Sequence, residues 1–255
     1  MLSLAASLDD RDLLRRLQEL AGQERSATSE LVAHLAELDA RKLYLGEGYA
    51  SLFGYCTDAL RLAEHAAYKR IVAARACRTF PPLLDHLADG SLNLSTLRLL
   101  APHLTAENFD GVLAHAKGRS KREVEELVAR LAPQPEPVPS VRKLPVRGGA
   151  GKLLLEETAR TKLAAVRKPR ANGHGGDSRS RHLPAQIIRA VWKRDGGRCA
   201  FVGRKGNRCQ ERTFLEFHHV EAFGLGGKTT EANLSLRCRS HNQYEARLVF
   251  GAGSN

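Results

Sequence analysis

The chain has 255 residues, a length that suits one large or two modest domains, and its 40 Lys and Arg residues against 28 Asp and Glu give a formal charge of +12 at pH 7. Its apolar runs are shorter than the ~18 residues that a membrane-crossing helix needs, residues 1–8 lack the basic region of a signal peptide, and five cysteines in so long a chain do not suggest a disulfide framework. We therefore expect a cytoplasmic protein without membrane contact.

The excess positive charge lies in one half of the chain. Residues 1–132 hold 17 Lys and Arg against 18 Asp and Glu, whereas residues 133–255 hold 23 against 10. That distribution is expected if the second half meets the phosphate backbone of a nucleic acid. A basic solubility tail would explain the charges of a linker equally well, but not the cationic residues around the cysteines that follow it.

The first 132 residues predict an all-helical domain. Leucines at three- and four-residue spacing indicate helix over residues 9–40, in two pieces with a break near Gly22. Alternating apolar and polar runs are too few for a sheet, and Cys56 and Cys77 are expected in the core. Further helices are expected over residues 51–60, 64–78, 81–90, 96–100, 106–117 and 121–131, the last of them opened by a capping box of Ser120 and Glu123.

Basic residues gather on the predicted helix 64–78, namely Lys69, Arg70, Arg75 and Arg78. With the residues around it, this segment resembles the helical DNA-binding core of ParB-type partition proteins. The resemblance implies a helix-turn-helix in which helix 64–78 is the recognition helix. A basic, solvated face on a packing helix would account for the same side chains, so both interpretations stay open.

Residues 133–180 predict a linker, because prolines and a Gly-Gly pair crowd its first part. Residues 152–167 carry a short helical pattern, and the polar, basic, glycine-rich run after them is typical of segments that are disordered or follow a phosphate backbone. Residues 181–255 form the predicted second domain. Its first helix starts at Pro184 and leaves three basic side chains for solvent or phosphate: Arg189, Lys193 and Arg194.

Four residues of this second domain have the chemistry of zinc ligands: Cys199, Cys209, Cys238 and His241. Thiolate and imidazole are the ligands that a tetrahedral structural zinc prefers, with one pair from a turn and one from a helix start. The gap between Cys199 and Cys209 is longer than usual. Two ordinary buried cysteines, or a thiol pair without metal, are the alternative, and four ligands in one short segment favour zinc.

Between these ligand pairs lies a β-rich stretch, residues 213–220, that ends in His218 and His219. A Gly226-Gly227 pair and Asn233 follow it, before the final helix. In order, spacing and residue type this pattern resembles the HNH (ββα-metal) endonucleases over residues 181–255. The resemblance implies a zinc-stabilised ββα-metal domain, and with the helical bundle before it we expect a mainly α protein with a small α+β module.

The resemblance also implies a role for each polar residue. His219 would be the general base, since neutral imidazole has a pKa near the working pH, and His218 would bind the catalytic divalent cation. Asn233 would hold the loop so that the base keeps its orientation. Adjacent side chains on a strand point to opposite faces, so the strand must end or bulge at the two histidines for both to reach one phosphate.

The last position of the motif departs from the family pattern. A metal-binding His usually follows the second zinc Cys, whereas here His241 takes the zinc position and Asn242 follows it. Helical neighbours differ by about 100°, so Asn242 can face the histidine pair while His241 faces the zinc. An amide oxygen suits Mg²⁺ or Mn²⁺. The competing assignment makes His241 the catalytic ligand and leaves the zinc with three cysteines.

The resemblance therefore implies a DNA endonuclease with a structural Zn²⁺ and a catalytic Mg²⁺ or another divalent cation. A DNA-binding or regulatory protein, with a nuclease module impaired by the His to Asn change, is the alternative. A zinc hydrolase acting on something else is weaker, because four protein ligands close the zinc. Two copies could meet across one duplex as a homodimer. Phosphate contacts are expected from Arg189, Lys193, Arg194, Arg237 and Arg239.

Overall fold

The computed structural model describes residues 2–132 and 183–251, which are mainly helical with one two-stranded antiparallel sheet. The predicted linker, with its helical pattern over residues 152–167, lies outside the described residues. In the N-terminal segment the helices are α1 (Leu2–Ala6), α2 (Asp10–Arg41), α3 (Leu43–Gly46), α4 (Leu52–Gly54), α5 (Glu64–Thr79), α6 (Leu83–Ala88), α7 (Leu94–Leu100), α8 (Phe109–Ala116) and α9 (Lys121–Leu131).

Helix α2 is a single helix of 32 residues, so the predicted break near Gly22 is wrong. Asp9 caps its start by accepting a hydrogen bond from the amide of Asp12, which is the usual way to satisfy a free helix N-terminus. A glycine inside a helix costs only about 1 kcal/mol, which the continuous helix tolerates. Three of the leucines whose spacing predicts this helix are exposed in the described structure, namely Leu14, Leu17 and Leu20.

The core of the N-terminal segment forms where α5 and α6 pack on the second half of α2. Cys56 and Cys77 are buried there, as the sequence predicts. Residues 51–60 form α4 followed by one turn of π-helix at Tyr55–Ala59, where a plain α-helix was expected. The capping box of Ser120 and Glu123 opens α9 as predicted.

Helix α5 is a packing helix in the described structure. Its alanine-rich face is buried, and two of its arginines form ion pairs with α2, Arg75 with Asp39 at 2.8 Å and Arg78 with Glu37 at 3.2 Å. The other two basic residues also contact the chain itself, since the Lys69 amine donates to the hydroxyl of Ser95 and Arg70 donates to the carbonyl of Ala66. These arginine side chains stay largely exposed and exposed ion pairs are weak, so the packing role of α5 and a contact with DNA both stay open.

The C-terminal segment is built from helix α10 (Ala185–Asp195), strands β1 (Leu215–His219) and β2 (Leu234–Cys238), and helix α11 (Arg239–Phe250). The strands pair antiparallel, with His218 opposite Ser235 and His219 opposite Leu234. Val191 of α10 packs against Leu234 and Leu236 of β2. The order strand, strand, helix is the one expected from the sequence.

Two short stretches bring the N-terminal and C-terminal segments into contact. We call residues 42–50 the docking loop and residues 199–209 the knuckle. The amide of Arg204 donates to the carbonyl of Gly46 at 2.9 Å, and Lys205 forms an ion pair with Glu47 at 3.2 Å. Tyr244 of α11 packs against the core of the N-terminal segment. No helix within residues 2–132 or 183–251 is long and apolar enough to cross a membrane.

Candidate functional site

The four predicted zinc ligands come together in a buried cluster. The ligand atoms of Cys199, Cys209, Cys238 and His241 all lie within 4.8 Å of one another. In a tetrahedral zinc site, with bonds near 2.3 Å to sulfur, neighbouring ligand atoms are about 3.8 Å apart. The Nδ1 atom of His241 is 3.7 Å from the Cys199 sulfur and 3.2 Å from the Cys238 sulfur. The cluster could therefore hold a metal ion such as zinc.

Local structure explains how these ligands meet. Cys238 ends β2 and is the N-cap of α11, so His241 lies one helical turn further on the same side. The knuckle closes on itself through the amide of Cys209, which donates to the carbonyl of Phe201 at 2.9 Å. The Phe201 ring stacks on the His241 imidazole at a centroid distance of 4.1 Å. The imidazole is thus held by an aromatic ring on one face and by sulfur atoms at its Nδ1 edge.

The protonation of this cluster suits a cation. Hydrogen bonds from Cys209 and Cys238 hold the pKa of Cys199 far below that of a free thiol, while the hydrogen bond with Cys199 raises the pKa of Cys209, so one thiolate is shared within the cluster. Burial alone would lower the pKa of His241, but the neighbouring Cys199 and Cys238 sulfurs outweigh it and raise that pKa to about 9. A buried thiolate attracts positive charge, whether a proton on imidazole or a metal ion.

A second polar group lies where β1 meets the first turn of α11. The Nδ1 atom of His218 donates to the side-chain oxygen of Asn242 at 2.7 Å. In an octahedral site with bonds near 2.1 Å, two neighbouring ligand atoms would be about 3 Å apart. His218 and Asn242 are thus close enough to be adjacent ligands of one hard divalent cation. His241, one residue earlier in the helix, faces the cysteine cluster instead.

Two carboxylates that the sequence reasoning missed complete this group. Glu216 accepts a hydrogen bond from the Asn242 amide, and Glu245 lies 3.6 Å from Nε2 of His218. Periodicity could have found both, because Glu216 is two residues before His218 on the same strand face and Glu245 is one helical turn after Asn242. They add negative charge beside the candidate metal ligands.

His219 is the last residue of β1 and lies on the opposite face of the strand from His218. Its Nε2 atom is 3.2 Å from the hydroxyl of Thr229, and its ring contacts Phe223 at a centroid distance of 5.5 Å. The strand ends here, as the two-histidine pattern requires. The amide of the following residue, Val220, donates to the carbonyl of Asn233 at 2.8 Å, one step further in the same register.

Asn233 ties the loop after β1 to itself. Its side-chain oxygen accepts from the amide of Glu221 at 2.7 Å, and its amide donates to the carbonyls of Glu221 and Lys228 at 3.1 and 2.9 Å. Gly227 lies against the same backbone, where an added Cβ would fall 1.9 Å from the Glu221 carbonyl oxygen. The loop has the closed shape that the Gly-Gly pair and the asparagine predict.

The five predicted phosphate contacts separate into two groups. Arg189, Lys193 and Arg239 are exposed. Arg237 is only 8% exposed and forms an ion pair with Glu245, so its predicted contact with nucleic acid would require that pair to open. Arg194 is exposed as well, but it pairs with Asp195 and donates to the carbonyls of Glu231 and Leu234.

No protein-family model matches the chain, and no curated protein or solved structure is significantly similar to it.

Proposed function

We propose that this protein is a metal-dependent DNA endonuclease of the HNH (ββα-metal) kind. The observation that supports this most is the 2.7 Å contact between His218 at the end of β1 and Asn242 in the first turn of α11. It joins strand and helix at the position where the resemblance expects the catalytic cation. A cation bound there would neutralise charge that develops on the phosphoryl oxygens.

In this proposal His219 is the general base that takes a proton from the attacking water. Thr229, 3.2 Å from Nε2 of His219, would help to fix the orientation of the ring. Asn233 holds the backbone that follows the base through its hydrogen bonds to Glu221. Holding a base in place in this way saves the entropy of orienting it in each reaction.

The proposed substrate follows from charge. Residues 133–255 carry 23 Lys and Arg against 10 Asp and Glu, and the exposed Arg239 lies beside Glu216 at the site. Positive charge of this kind attracts the phosphate backbone of DNA whatever the base sequence, so DNA affinity should fall steeply as the salt concentration rises. Arg239 also lies 3.7 Å from Glu216, and a cation or a phosphate at the site would compete for that weak, exposed pair.

The test is cleavage of supercoiled plasmid by the full chain with Mg²⁺, Mn²⁺ or Ni²⁺. We expect cleavage by the wild type and a loss of at least about 100-fold in His219→Ala, since a general base contributes that much. His115→Ala, a change at an exposed histidine of α8, is the matched control and should cut like the wild type. Cutting that survives His219→Ala would refute the proposed mechanism.

A second candidate function rests on Asn242. Because an amide stands where the family pattern has a metal-binding histidine, the module could bind DNA without cutting it. Asn242→Gln and Asn242→His separate the two functions. If the wild type cuts with none of the three metals while Asn242→His does, the binding or regulatory function is correct. If the wild type cuts and Asn242→Gln does not, the amide is a working ligand.

A further inference from the structure

His241 has contacts on both sides of its ring. Its Nδ1 atom faces the sulfurs of Cys199 and Cys238, and its Nε2 atom lies 3.1 Å from the carbonyl oxygen of Leu45. A carbonyl oxygen can only accept, so Nε2 must carry the hydrogen and Nδ1 is left to bind a metal. Leu45 belongs to the docking loop, so a residue 196 positions earlier in the sequence selects the ligating nitrogen.

The docking loop is held close to the knuckle by direct backbone contact. A Cβ on Gly203 would fall 2.3 Å from the carbonyl carbon of Glu47, and a Cβ on Gly48 would fall 2.4 Å from the carbonyl oxygen of Asn207. No side chain fits at either glycine, because the two main chains already touch there. The amide of Arg204 donates to the carbonyl of Gly46 between these points.

Aromatic contacts connect the interface between the docking loop and the knuckle to His241. Phe201 of the knuckle stacks on the His241 ring and meets Tyr244 edge-on at a centroid distance of 5.8 Å. Tyr244 in turn packs against the core of the N-terminal segment. The knuckle therefore contacts one face of the His241 ring, and the docking loop contacts its Nε2–H.

We propose that the docking loop is a structural part of the metal centre. The Leu45 carbonyl is a positioning group that holds His241 in its ligating tautomer, so metal binding and docking of the N-terminal segment on the knuckle form one linked equilibrium. Outer partners of this kind typically change metal affinity by 10- to 100-fold. The proposal rests on the capacity of the cysteine and histidine cluster to hold a metal and is independent of any nuclease activity.

The first test compares Gly48→Ala with Gly206→Ala in the full chain. Both glycines have positive φ, +91° and +81°, so both changes carry similar backbone strain. Only the Cβ at position 48 meets the facing backbone, whereas nothing lies within 4 Å at position 206. Zinc affinity is measured by competition with a chromophoric chelator, and Co²⁺ absorption reports the ligand geometry.

We expect Gly48→Ala to bind zinc 10- to 100-fold more weakly than the wild type and to alter the Co²⁺ spectrum. Gly206→Ala, although it lies inside the knuckle, should bind zinc within a few-fold of the wild type. Gly203→Ala disturbs the same contact from the other side without positive φ and should behave like Gly48→Ala. Equal zinc affinity in folded Gly48→Ala and wild type would overturn the proposal.

A second test uses the wild type and does not depend on the folding of any variant. Hydrogen exchange of the amides of Gly48 and Tyr49, which donate to Leu45 and Tyr44 within the docking loop, is compared with zinc and after chelation. Linkage requires that zinc slows exchange at these amides, far from the ligands in sequence. Unchanged exchange in the docking loop, while the knuckle amide of Cys209 responds, would mean that the two segments merely touch.

Discussion

At the scale of single residues, two neighbours on α11 belong to two different groups of polar side chains. His241 faces the cysteine cluster and Asn242 faces His218, because consecutive helical residues are about 100° apart. The sequence predicts that division from the motif alone. It does not show that Asn242 and His218 are also bracketed by Glu216 and Glu245, since that depends on how the helix crosses the strands.

Asn233 is the residue whose loss should disturb the loop most directly. Replacing it with alanine removes an acceptor for the Glu221 amide and a donor to two carbonyls, so we expect about 1–3 kcal/mol of destabilisation. Chemical denaturation measures it. Asn233→Asp keeps the acceptor and loses the donors, so it should fall between alanine and wild type. An alanine variant as stable as the wild type would show that the loop does not depend on this side chain.

Asp195 predicts a pH dependence of stability. It is 7% exposed and accepts hydrogen bonds from Arg194 and from the amide of Leu236 at 2.7 Å. Burial would raise the pKa of Asp195, but these hydrogen bonds outweigh it and hold the pKa below its ordinary value. Because the folded pKa is depressed, the stabilisation is complete above the unfolded pKa of about 3.9 and is lost as pH falls through the folded value.

We therefore expect Asp195→Asn to lower the free energy of unfolding by about 1–3 kcal/mol at pH 7 and by less as the pH falls below about 4. Urea denaturation at several pH values measures both quantities. Asp110→Asn, at an exposed position of α8, is the matched control and should change little. The same loss at pH 3 and pH 7 would contradict the assigned role of the carboxylate.

At the scale of elements, the loop between β1 and β2 shows why its two glycines are not equivalent. Gly226 has φ +98° with nothing within 4 Å of an added Cβ, whereas Gly227 lies against the backbone of Glu221. The first glycine is needed for its dihedral angle and the second for its small size. Sequence predicts a turn at this pair, but the difference between the two positions comes from the folded loop.

Alanine at each position should separate these two requirements. Gly226→Ala carries only strain and should cost about 1 kcal/mol, while Gly227→Ala must displace the backbone and should cost about 3 kcal/mol. Thermal unfolding and hydrogen exchange of the Val220 amide, which donates to Asn233, measure the difference. Equal losses in the two variants would show that the close approach of Gly227 does not limit the loop.

At the scale of the whole molecule, the cluster of Cys199, Cys209, Cys238 and His241 lies next to the contact between the N-terminal and C-terminal segments. The helical core around α2, α5 and α6 has its own buried residues, while Val191, Leu234 and Leu236 form a much smaller cluster in the C-terminal segment. So small a core stabilises little by itself. The C-terminal segment should therefore depend on metal more than the helical core does.

Two spectroscopic signals can report the unfolding of the N-terminal and C-terminal segments separately in the full chain. The single tryptophan, Trp192, lies on α10 in the C-terminal segment, whereas most helical residues within the described ranges, which give the far-UV circular dichroism signal, lie in the N-terminal segment. We expect a strong chelator to lower the melting temperature of the Trp192 fluorescence signal by several degrees and the dichroism transition by less. Added zinc should restore both, and identical curves with and without chelator would refute a structural metal.

The local features of this protein could be predicted from its amino-acid sequence. Helix caps such as Ser120 with Glu123, the four clustered ligands and the loop-closing Asn233 could be predicted because each depends on spacing between near neighbours or on a motif. The mainly helical character with a small sheet could be predicted for the same reason, since periodicity is a property of short windows.

Contacts between residues far apart in the sequence could be seen only in the tertiary structure. It made α2 one continuous helix, paired two arginines of α5 with acids of α2, buried Arg237 and brought Leu45 to His241. None of these follows from residue spacing, because contacts across the chain depend on which surfaces fit together once helices and strands have formed.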